Sequence, residues 1–565
     1  MNRISAFMVF LVSLPTTEPR DSSQGGSCLE ELLVSGRAPL DQKAGSLQGT
    51  NGTAFVQSHM LLAKFEDLHA ANITQQFQAI PQVQQSVLGK ALPPTPPPWV
   101  KSNEKESTVA PSNGKLRDLP RVSQERIPRA LLAIPFLLWA VGFAMLWTAT
   151  EAALIVTLVH ATLDGFVYAA FIPSALETSH AIGQGAVFSG WCIGAYRLGT
   201  FFVTIALWWH FKVDLVEKAR RSARSFLAYG ILAGLLSSAV GTCVLWSPDS
   251  SPWRAYGLIA FRFLAGLGNI GFFVMQLLTL LSEPSMRGWV FVQWLTFILV
   301  AEGLGPLTAT ATQEVLVNHI SRPAVVPFVC CVILLLLLIS FLVKFPALDS
   351  AHFHTACDGV QEAAPCKVVC ACLAYTGLRC FTVGSIESAT SFLLETGYGW
   401  NAKQIGLWMC VCFFASIPWN AAFTFWGTYL ADFSLLRVLT SLSILGSLCF
   451  FRNLCGLGMP LTGDYMLLVG DTILFPIFTF CNGLVSAWLM NGAAKQGFFV
   501  QINLQLISTL VNDSMPFFAA PITRWVLDTM SQDSYAAMQL SILMVSWLLM
   551  EQSHYSVPAA FASRH

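Results

Sequence analysis

Residues 325–343 read VVPFVCCVILLLLLISFLV, a run of nineteen positions without a charged side chain. About twenty apolar residues suffice to cross the hydrocarbon core of a bilayer as an α-helix. Such a helix satisfies its own backbone hydrogen bonds, which lipid cannot do. The weak two-residue alternation of a transmembrane β-barrel is not visible here. The run therefore predicts a membrane-spanning helix and an all-α fold.

The rest of the chain has the same character. Its 565 residues are 54% hydrophobic and only 11% charged, whereas a soluble domain carries about 25% charged residues. The net charge of +0 gives no electrostatic reason to bind nucleic acid. Most of the cysteines lie in apolar segments, and their irregular spacing does not favour a metal site. The composition predicts an integral, multi-pass membrane protein that is surrounded by the lipid bilayer and holds no cofactor.

The apolar segments form two groups of six, separated by a polar loop. We predict a polar, disordered tail with a Pro-rich stretch over residues 1–129, an N-terminal six-helix half over 130–344 and a central cytoplasmic loop over 345–366. A C-terminal six-helix half over 367–552 and a short tail over 553–565 complete the chain. The twelve predicted spans cover residues 152–175, 186–208, 225–246, 254–281, 288–311, 323–344, 368–394, 402–428, 433–451, 464–490, 498–523 and 533–551.

Basic residues fall unevenly on the two sides of this predicted bundle. If the loop after span 2 is cytoplasmic, sixteen basic residues face the cytoplasm and five, including Arg524, face the opposite side. Cytoplasmic loops carry an excess of Lys and Arg. The asymmetry favours twelve spans with both chain ends in the cytoplasm.

A further apolar segment, residues 130–150, leaves the number of spans open. In one interpretation it lies at the membrane interface or extends span 1, and the tail is cytoplasmic. In the other it crosses as a thirteenth span, and the tail lies outside, where the glycosylation acceptors Asn51 and Asn72 could be used. The basic residues at 115–129 favour the first interpretation.

Spans 4 and 5 carry two patterns that affect helix packing. Span 4 reads RFLAGLGNIG from Arg262 to Gly271, and span 5 reads EGLGP from Glu302 to Pro306. Closely spaced glycines let neighbouring helices approach, and a proline kinks a helix. Both patterns resemble those of the major facilitator superfamily, whose two six-helix halves are related repeats.

The loop after span 8 reads GTYLAD from Gly427 to Asp432, with Arg437 beyond it. It is similar to the Gly-x-x-x-Asp loop signature of that family, although the copy expected after span 2 has its glycine displaced. The resemblance implies that these three residues form a charged clamp at the cytoplasmic face; the alternative is an orientation signal alone. Span 7, from Glu387 to Trp400, weakly resembles a branch with lysosomal members and vacuolar phosphate carriers that have an SPX domain.

Charged residues inside the spans are candidates for a substrate or proton pathway, because a charge at membrane depth is costly and usually functional. The resemblance implies that spans 1, 4, 7 and 10 line a central cavity. Glu302 is either a proton-coupling carboxylate or a permanently neutral buried side chain. Arg262 either faces the cavity or is structural and snorkels to the surface. Alternatively, the opposite charges pair to hold the two halves together. The predicted pathway residues are Asp164, Arg262, Glu302, Arg379, Glu387 and Asp471, with Arg197 and His160 as further polar residues within the spans.

These features predict a secondary carrier that moves a small molecule or ion by alternating access of two rocking halves, with proton coupling as an option. An uncoupled uniporter or channel-like variant and a non-transporting receptor or scaffold remain open. The sequence contains no G-x-S-x-G, G-x-x-x-x-G-K-[ST] or H-E-x-x-H motif, so an enzyme or an ATP-driven pump is not favoured. We expect a monomeric transport unit in the plasma membrane or in an endolysosomal or vacuolar membrane.

Overall fold

The computed structural model describes residues 129–149, 151–213, 215–246, 253–283, 287–316, 321–345, 365–427, 432–452, 463–491, 493 and 500–554. Within these residues the chain is almost entirely helical and contains no β-strand. The all-α prediction is confirmed. Nearly all of the predicted N-terminal tail, central loop and C-terminal tail lies outside the described residues.

The described part of the chain contains one helix for the segment before span 1 and one helix, in places interrupted, for each of the twelve predicted spans. These twelve are α2 to α13 in chain order. The bounds are α1 Arg129–Thr148, α2 Ala152–Ala181, α3 Ala186–Phe211, α4 Leu215–Trp246, α5 Trp253–Leu281, α6 Arg287–Leu316, α7 Arg322–Lys344, α8 Cys366–Thr396, α9 Ala402–Phe414 and Ser416–Gly427, α10 Asp432–Leu448, α11 Gly463–Asn491, α12 Gln501–Thr529 and α13 Gln532–His554.

Ten of these helices are long and apolar enough to cross a membrane. α1 and α10 are shorter apolar helices, and α12 is 29 residues long but carries charged side chains such as Asp513 and Arg524. Large apolar side chains are exposed around the bundle, including Leu137, Leu236 and Val343. So much exposed apolar surface is unfavourable in water and suited to lipid. The protein is an integral, multi-pass membrane protein.

Consecutive helices alternate in direction, so the bundle has two ends. We call the end that carries Lys344 and Cys366 the loop end, and the opposite one the far end. Polar contacts between neighbouring helices support this alternation at the far end, where Lys403 pairs with Glu314. The first residue of α13, Gln532, donates there to the carbonyl oxygen of Phe450 at 3.0 Å.

α1 runs alongside the bundle in the direction opposite to α2. Near the loop end, Trp147 donates to Ser340 Oγ at 3.2 Å. Further along, Trp139 donates to Thr308 Oγ1 at 3.0 Å, and its ring packs against Phe166 with centroids 4.8 Å apart. Because a helix rises 1.5 Å per residue, Phe166 lies about 21 Å from the start of α2. Along the chain, α1 therefore runs toward the loop end, antiparallel to α2.

Because α1 and α2 run in opposite directions, segment 130–150 does not extend span 1. Its crossing as a thirteenth span stays a prediction. The chain turns between the two helices, where Glu151 has extended backbone angles (φ −86°, ψ 126°). This turn reverses the chain, and the apolar face of α1 then packs along α6 and α7. Hydropathy describes how apolar a segment is and not its direction, which is why the sequence left this open.

We predict that α1 crosses the membrane, which would place the chain before Arg129 on the side opposite the central loop. With the central loop in the cytoplasm, Asn51 and Asn72 should then carry glycans in a eukaryotic host. Endoglycosidase treatment should lower the apparent mass, and the double change Asn51→Gln/Asn72→Gln should remove that shift. Glycosylation of an acceptor engineered into the central loop, with none before α1, would contradict this topology.

The glycines of α5 mark its closest approach to α3. A Cβ added at Gly266 would overlap the carbonyl oxygen of Tyr196 and would lie 3.1 Å from the Cα of Gly199. Both neighbours are backbone atoms, which cannot move aside without separating the two helices. The packing role predicted for this glycine pattern is confirmed.

Gly266→Ala should lower the free energy of unfolding by about 2 kcal/mol, because overpacking a well-packed contact costs roughly 1–3 kcal/mol. The matched control is Gly142→Ala in α1, where an added Cβ meets nothing within 4 Å. The melting temperatures of the two variants in detergent measure the difference. If Gly266→Ala and Gly142→Ala both have the melting temperature of the unaltered protein, the close backbone contact between α3 and α5 is contradicted.

Besides α9, which is interrupted at Ala415, two helices are broken near their middle. α2 contains a π-turn at Thr162–Phe166 and an irregular turn at residues 170–171, and α5 loses helical geometry at residues 268–270. π-turns occur frequently at functional sites. Non-helical backbone at membrane depth is tolerated where it is buried in protein or lines a cavity. These breaks place the polar side chains of Asp164 and Asn269 on irregular backbone inside the bundle.

Candidate functional site

The two broken helices bring a carboxylate, a guanidinium and an amide together. Asp164, in the π-turn of α2, accepts hydrogen bonds at Oδ1 from Arg197 Nη1 at 3.1 Å and from Asn269 Nδ2 at 2.7 Å. Arg197 comes from α3, and Asn269 from the break in α5. The side chains of Asp164 and Arg197 are only 13% and 10% exposed. A short, mostly buried ion pair of this kind needs such extra hydrogen bonds to offset the loss of hydration.

One hydrogen bond links this cluster to the C-terminal half. Tyr168, one turn after Asp164 on α2, donates its hydroxyl to Glu387 Oε2 on α8 at 2.7 Å. The guanidinium of Arg197 stacks over the ring of Tyr168, 4.3 Å from its centroid. Tyr168 is therefore in contact with the ion pair on one side and with the opposite half of the protein on the other.

A chain of hydrogen bonds extends from Asp164 to His160 and Trp294. Trp294 Nε1 donates to His160 Nδ1 at 3.2 Å, and His160 Nε2 lies 3.0 Å from Asn269 Oδ1. An indole can only donate, so Nδ1 must be unprotonated and Nε2 carries the proton. His160 is thus neutral and donates to Asn269. The predicted pairing of His160 with Asp164 is indirect, because the Asn269 amide lies between them.

Glu302 lies on α6 beside the π-turn. Its backbone nitrogen is 3.0 Å from the position that a Cβ of Gly165 would take, and the residue is 5% exposed. It interacts electrostatically with Glu387, Asp164 and Arg197. Among the described residues, no side chain or backbone group donates a hydrogen bond to its carboxylate.

Arg262 neither snorkels to the surface nor faces a carboxylate. It is fully buried, and it donates to the carbonyl oxygens of Val167, Tyr168 and Cys192 at 3.1, 3.1 and 3.3 Å. Val167 and Tyr168 belong to the last helical turn before the irregularity in α2. Carbonyls at such an end lack intrahelical partners and favour a cation. Arg262 therefore caps the break that holds Tyr168 in place.

Two predicted residues have their own neighbours in the C-terminal half. Asp471 on α11 accepts from Thr390 Oγ1 at 2.7 Å, one turn beyond Glu387 on α8. Arg379 donates to Asn512 Oδ1 at 3.1 Å. The structure thus brings Asp164, Glu302 and Glu387 together around Arg197, whereas Asp471 and Arg379 lie beside that cluster.

Two charged residues on α12 were not predicted as site residues from the sequence. Asp513 is 2% exposed, interacts electrostatically with Arg197 and Asp164, and has one carboxylate oxygen without a hydrogen bond within the described part of the chain. Arg524, assigned to an outside loop, is fully buried instead. It donates to Ser388 and Ser391 at 3.1 Å each and also to Ser189 on α3. The polar character of the α12 sequence is the signal from which the burial of these two residues could have been predicted.

The predicted cytoplasmic clamp falls partly outside the described residues. Gly427 ends α9 and Asp432 begins α10, and the four positions between them are not described. Arg437 Nε lies 2.5 Å from Glu551 Oε1, so it links α10 to α13 at the loop end. A gating role for this loop stays a prediction. No cluster of three potential metal ligands occurs among the described residues, and the predicted absence of a metal likewise stays a prediction.

Comparison with solved structures identifies the architecture. No known family's sequence profile and no curated protein sequence matches the chain. A major facilitator superfamily protein, the proton:xylose symporter XylE bound to 6-bromo-6-deoxy-D-glucose, superposes with a TM-score of 0.53 at 11% identity, covering 71% of this chain and 95% of that one. The chain has the fold of the major facilitator superfamily.

Two further structures support this assignment. The partially occluded inward-open xylose transporter XylE from E. coli has a TM-score of 0.52 at 11% identity, covering 70% of this chain and 96% of that one. An inward-facing bacterial homologue of the iron transporter ferroportin has a TM-score of 0.50 at 13% identity, covering 73% and 98%.

The family resemblance seen in the glycine patterns implied that spans 1, 4, 7 and 10 line a central cavity in this fold. Those spans are α2, α5, α8 and α11, and they carry Asp164, Asn269, Glu387 and Asp471. The resemblance of span 7 to the lysosomal and vacuolar branch stays a prediction.

Proposed function

We propose that the protein is a secondary carrier that moves a small solute across a membrane by alternating access. The observation that carries the proposal is the hydrogen bond from Tyr168 to Glu387, which joins the two halves at the broken, charged centre of the bundle. A carrier of this fold rocks its halves around a midplane site. A contact between the halves at that site can change when a solute binds, and it can thereby link solute binding to the movement of both halves.

Proton coupling is part of the proposal. Glu302 and Glu387 are buried and interact electrostatically. Two carboxylates that interact while buried cannot both be ionised without a compensating positive charge. Binding of a proton to one of them would therefore be linked to solute binding. An uncoupled uniporter of the same fold is the alternative, in which these carboxylates serve the solute alone.

Uptake into proteoliposomes tests the carrier proposal. The purified full-length protein should accumulate at least one solute of a broad panel, and a pH gradient should increase the initial rate. Glu302→Gln should remove the dependence on the gradient, while Glu217→Gln, at a partly exposed position near the loop end, should leave it unchanged. Gradient-independent uptake in all three proteins would establish the uniporter, and no uptake of any solute would favour a receptor or scaffold.

We further propose that one chain is the transport unit, because both halves and the whole central cluster come from the same chain. The plasma membrane or an endolysosomal or vacuolar membrane is the proposed location, as expected for a solute carrier. Fluorescence microscopy of the tagged full-length protein, together with its mass in detergent, tests both points.

A further inference from the structure

The carboxyl groups of Asp164 and Glu302 differ in their hydrogen bonds. Asp164 Oδ1 accepts from Asn269 Nδ2 at 2.7 Å and from Arg197 Nη1 at 3.1 Å. Within the described residues, no group donates a hydrogen bond to Glu302. Hydrogen bonds from donors favour the ionised form of a carboxyl group, and one of these donors is itself charged. The geometry therefore favours an ionised Asp164 beside a Glu302 that can take up a proton.

The Asn269 amide can donate to Asp164 because its orientation is fixed. Its Oδ1 accepts from the backbone nitrogen of Gly271 at 2.9 Å, and a backbone N–H is always a donor. The amide nitrogen must therefore point away from Gly271 and toward Asp164. His160 Nε2 lies 3.0 Å from the same oxygen and supplies a second donor. These two donors exclude the flipped amide, which would present its oxygen to the carboxylate.

Trp294 on α6 decides which nitrogen of His160 donates. Its Nε1 lies 3.2 Å from His160 Nδ1, and the two rings pack with centroids 5.5 Å apart. An indole only donates, so the proton of the neutral imidazole is on Nε2, facing Asn269. The packing is tight, because a Cβ added at Gly271 would lie 3.0 Å from His160 Nε2. A side chain of α6 thus sets, through α2 and α5, one of the donors that Asp164 receives.

Charged groups approach Asp164 from four other helices. Arg197 on α3 is the cation in contact with it. The titratable groups that interact with it electrostatically are His160 on α2, Tyr196 on α3, Glu302 on α6, Glu387 on α8 and Asp513 on α12. Three of these groups are carboxyls, and a negative charge nearby opposes the ionisation of Asp164. A fixed donor such as the Asn269 amide therefore matters in addition to Arg197.

We propose that Trp294, His160 and Asn269 form a positioning relay that keeps Asp164 ionised, so that the transported proton binds Glu302 and not Asp164. The inference rests on the proposed proton-coupled carrier and assigns separate roles to two of its central carboxyl groups. Environments that separate the protonation of two neighbouring acids identify their roles. Asp164 remains a fixed charge during transport, while Glu302 gains and loses the proton.

An apolar carbodiimide tests this assignment without a known solute. The reagent adds to a protonated carboxyl group to give a stable N-acylurea, which raises the peptide mass by that of the whole reagent. Dicyclohexylcarbodiimide, added to the purified full-length protein at pH 7, should label Glu302 and leave Asp164 unlabelled. Poorer access does not explain such a result, because Asp164 is the more exposed of the two. Peptide mass spectrometry gives the labelled fraction at each position.

Three variants separate the relay from a general structural role. His160→Phe removes both hydrogen bonds and should raise the labelled fraction of Asp164 about tenfold, the change in protonated fraction expected when a hydrogen bond to a charged group is lost. His160→Gln keeps an acceptor for Trp294 and a donor for Asn269, so Asp164 should stay unlabelled. His180→Phe, at an exposed position of α2, is the matched control and should behave like the unaltered protein.

The unaltered protein alone decides the assignment, because equal labelling of Asp164 and Glu302 would overturn it. Trp294→Phe provides a second variant if His160→Phe does not fold, and it should raise the labelling of Asp164 to a smaller extent. No rise in either variant, or a rise in His160→Gln, would overturn the relay. Uptake into proteoliposomes that does not depend on a pH gradient would overturn proton coupling, whereas the labelling pattern would still support the relay.

Discussion

Arg262→Met should lower the free energy of unfolding by about 3 kcal/mol or more, because each buried acceptor left without its donor costs roughly 1–3 kcal/mol. Methionine has a comparable length and fills much of the space, but it donates no hydrogen bond. The carbonyl oxygens of Val167, Tyr168 and Cys192 would then be buried without the guanidinium that bonds them. We therefore expect a severely destabilised protein, detected by melting in detergent and by fluorescence-detected size exclusion.

Two further variants separate hydrogen bonding from charge at this position. Arg262→Lys keeps the positive charge, but a single ammonium cannot match the spread of a guanidinium fork, so we expect an intermediate loss. Arg221→Met is the matched control, since the Arg221 side chain is 73% exposed. Its melting temperature should stay close to that of the unaltered protein. A normal melting temperature for Arg262→Met would show that the break in α2 does not depend on this cap.

Asp164→Asn should destabilise the protein by about 3–5 kcal/mol, the usual cost of removing one partner of a buried ion pair. The change leaves the Arg197 guanidinium mostly buried beside Tyr168 without its counter-charge. It also weakens the acceptor for Asn269. The melting temperatures of Asp164→Asn, Arg197→Gln, the double variant and the unaltered protein form a complete thermodynamic cycle.

The double variant should be more stable than either single variant, because neither buried charge is then left alone. Transport should not recover with it, since the charged centre is lost in both cases. Recovery of stability without recovery of uptake distinguishes the structural role of the pair from its role at the site. Strictly additive losses would mean that Asp164 and Arg197 do not interact in the folded protein.

The periodic and compositional features of this chain were readable without a structure. The run at 325–343 predicted a membrane helix, and similar runs predicted the order of six spans, a loop and six spans. The glycines after Arg262 predicted a close helix contact, which Gly266 makes with the backbone of Tyr196. These features depend on each residue and its neighbours along the chain, because hydropathy and helical packing surfaces are local properties.

The partners of the buried charges could not be predicted from the sequence in this way. Asp164 was a candidate because any charge at membrane depth is conspicuous, but Asn269 and Tyr168 were not, since an amide and a phenol are common in membrane helices. Arg524 was assigned to a loop because it lies near the end of an apolar segment. Its burial depends on serines more than 130 positions away in sequence.

By itself, the sequence determined the environment, the helical class and the number of predicted spans in each half. The tertiary structure decided that α1 runs in the direction opposite to α2, that Arg262 caps a helix break, and that Arg197 pairs with Asp164. The physical reason is the range of the interactions involved. Transfer into lipid is a sum over individual residues, whereas a charge at the centre of the bundle is stabilised by groups that only folding brings into contact.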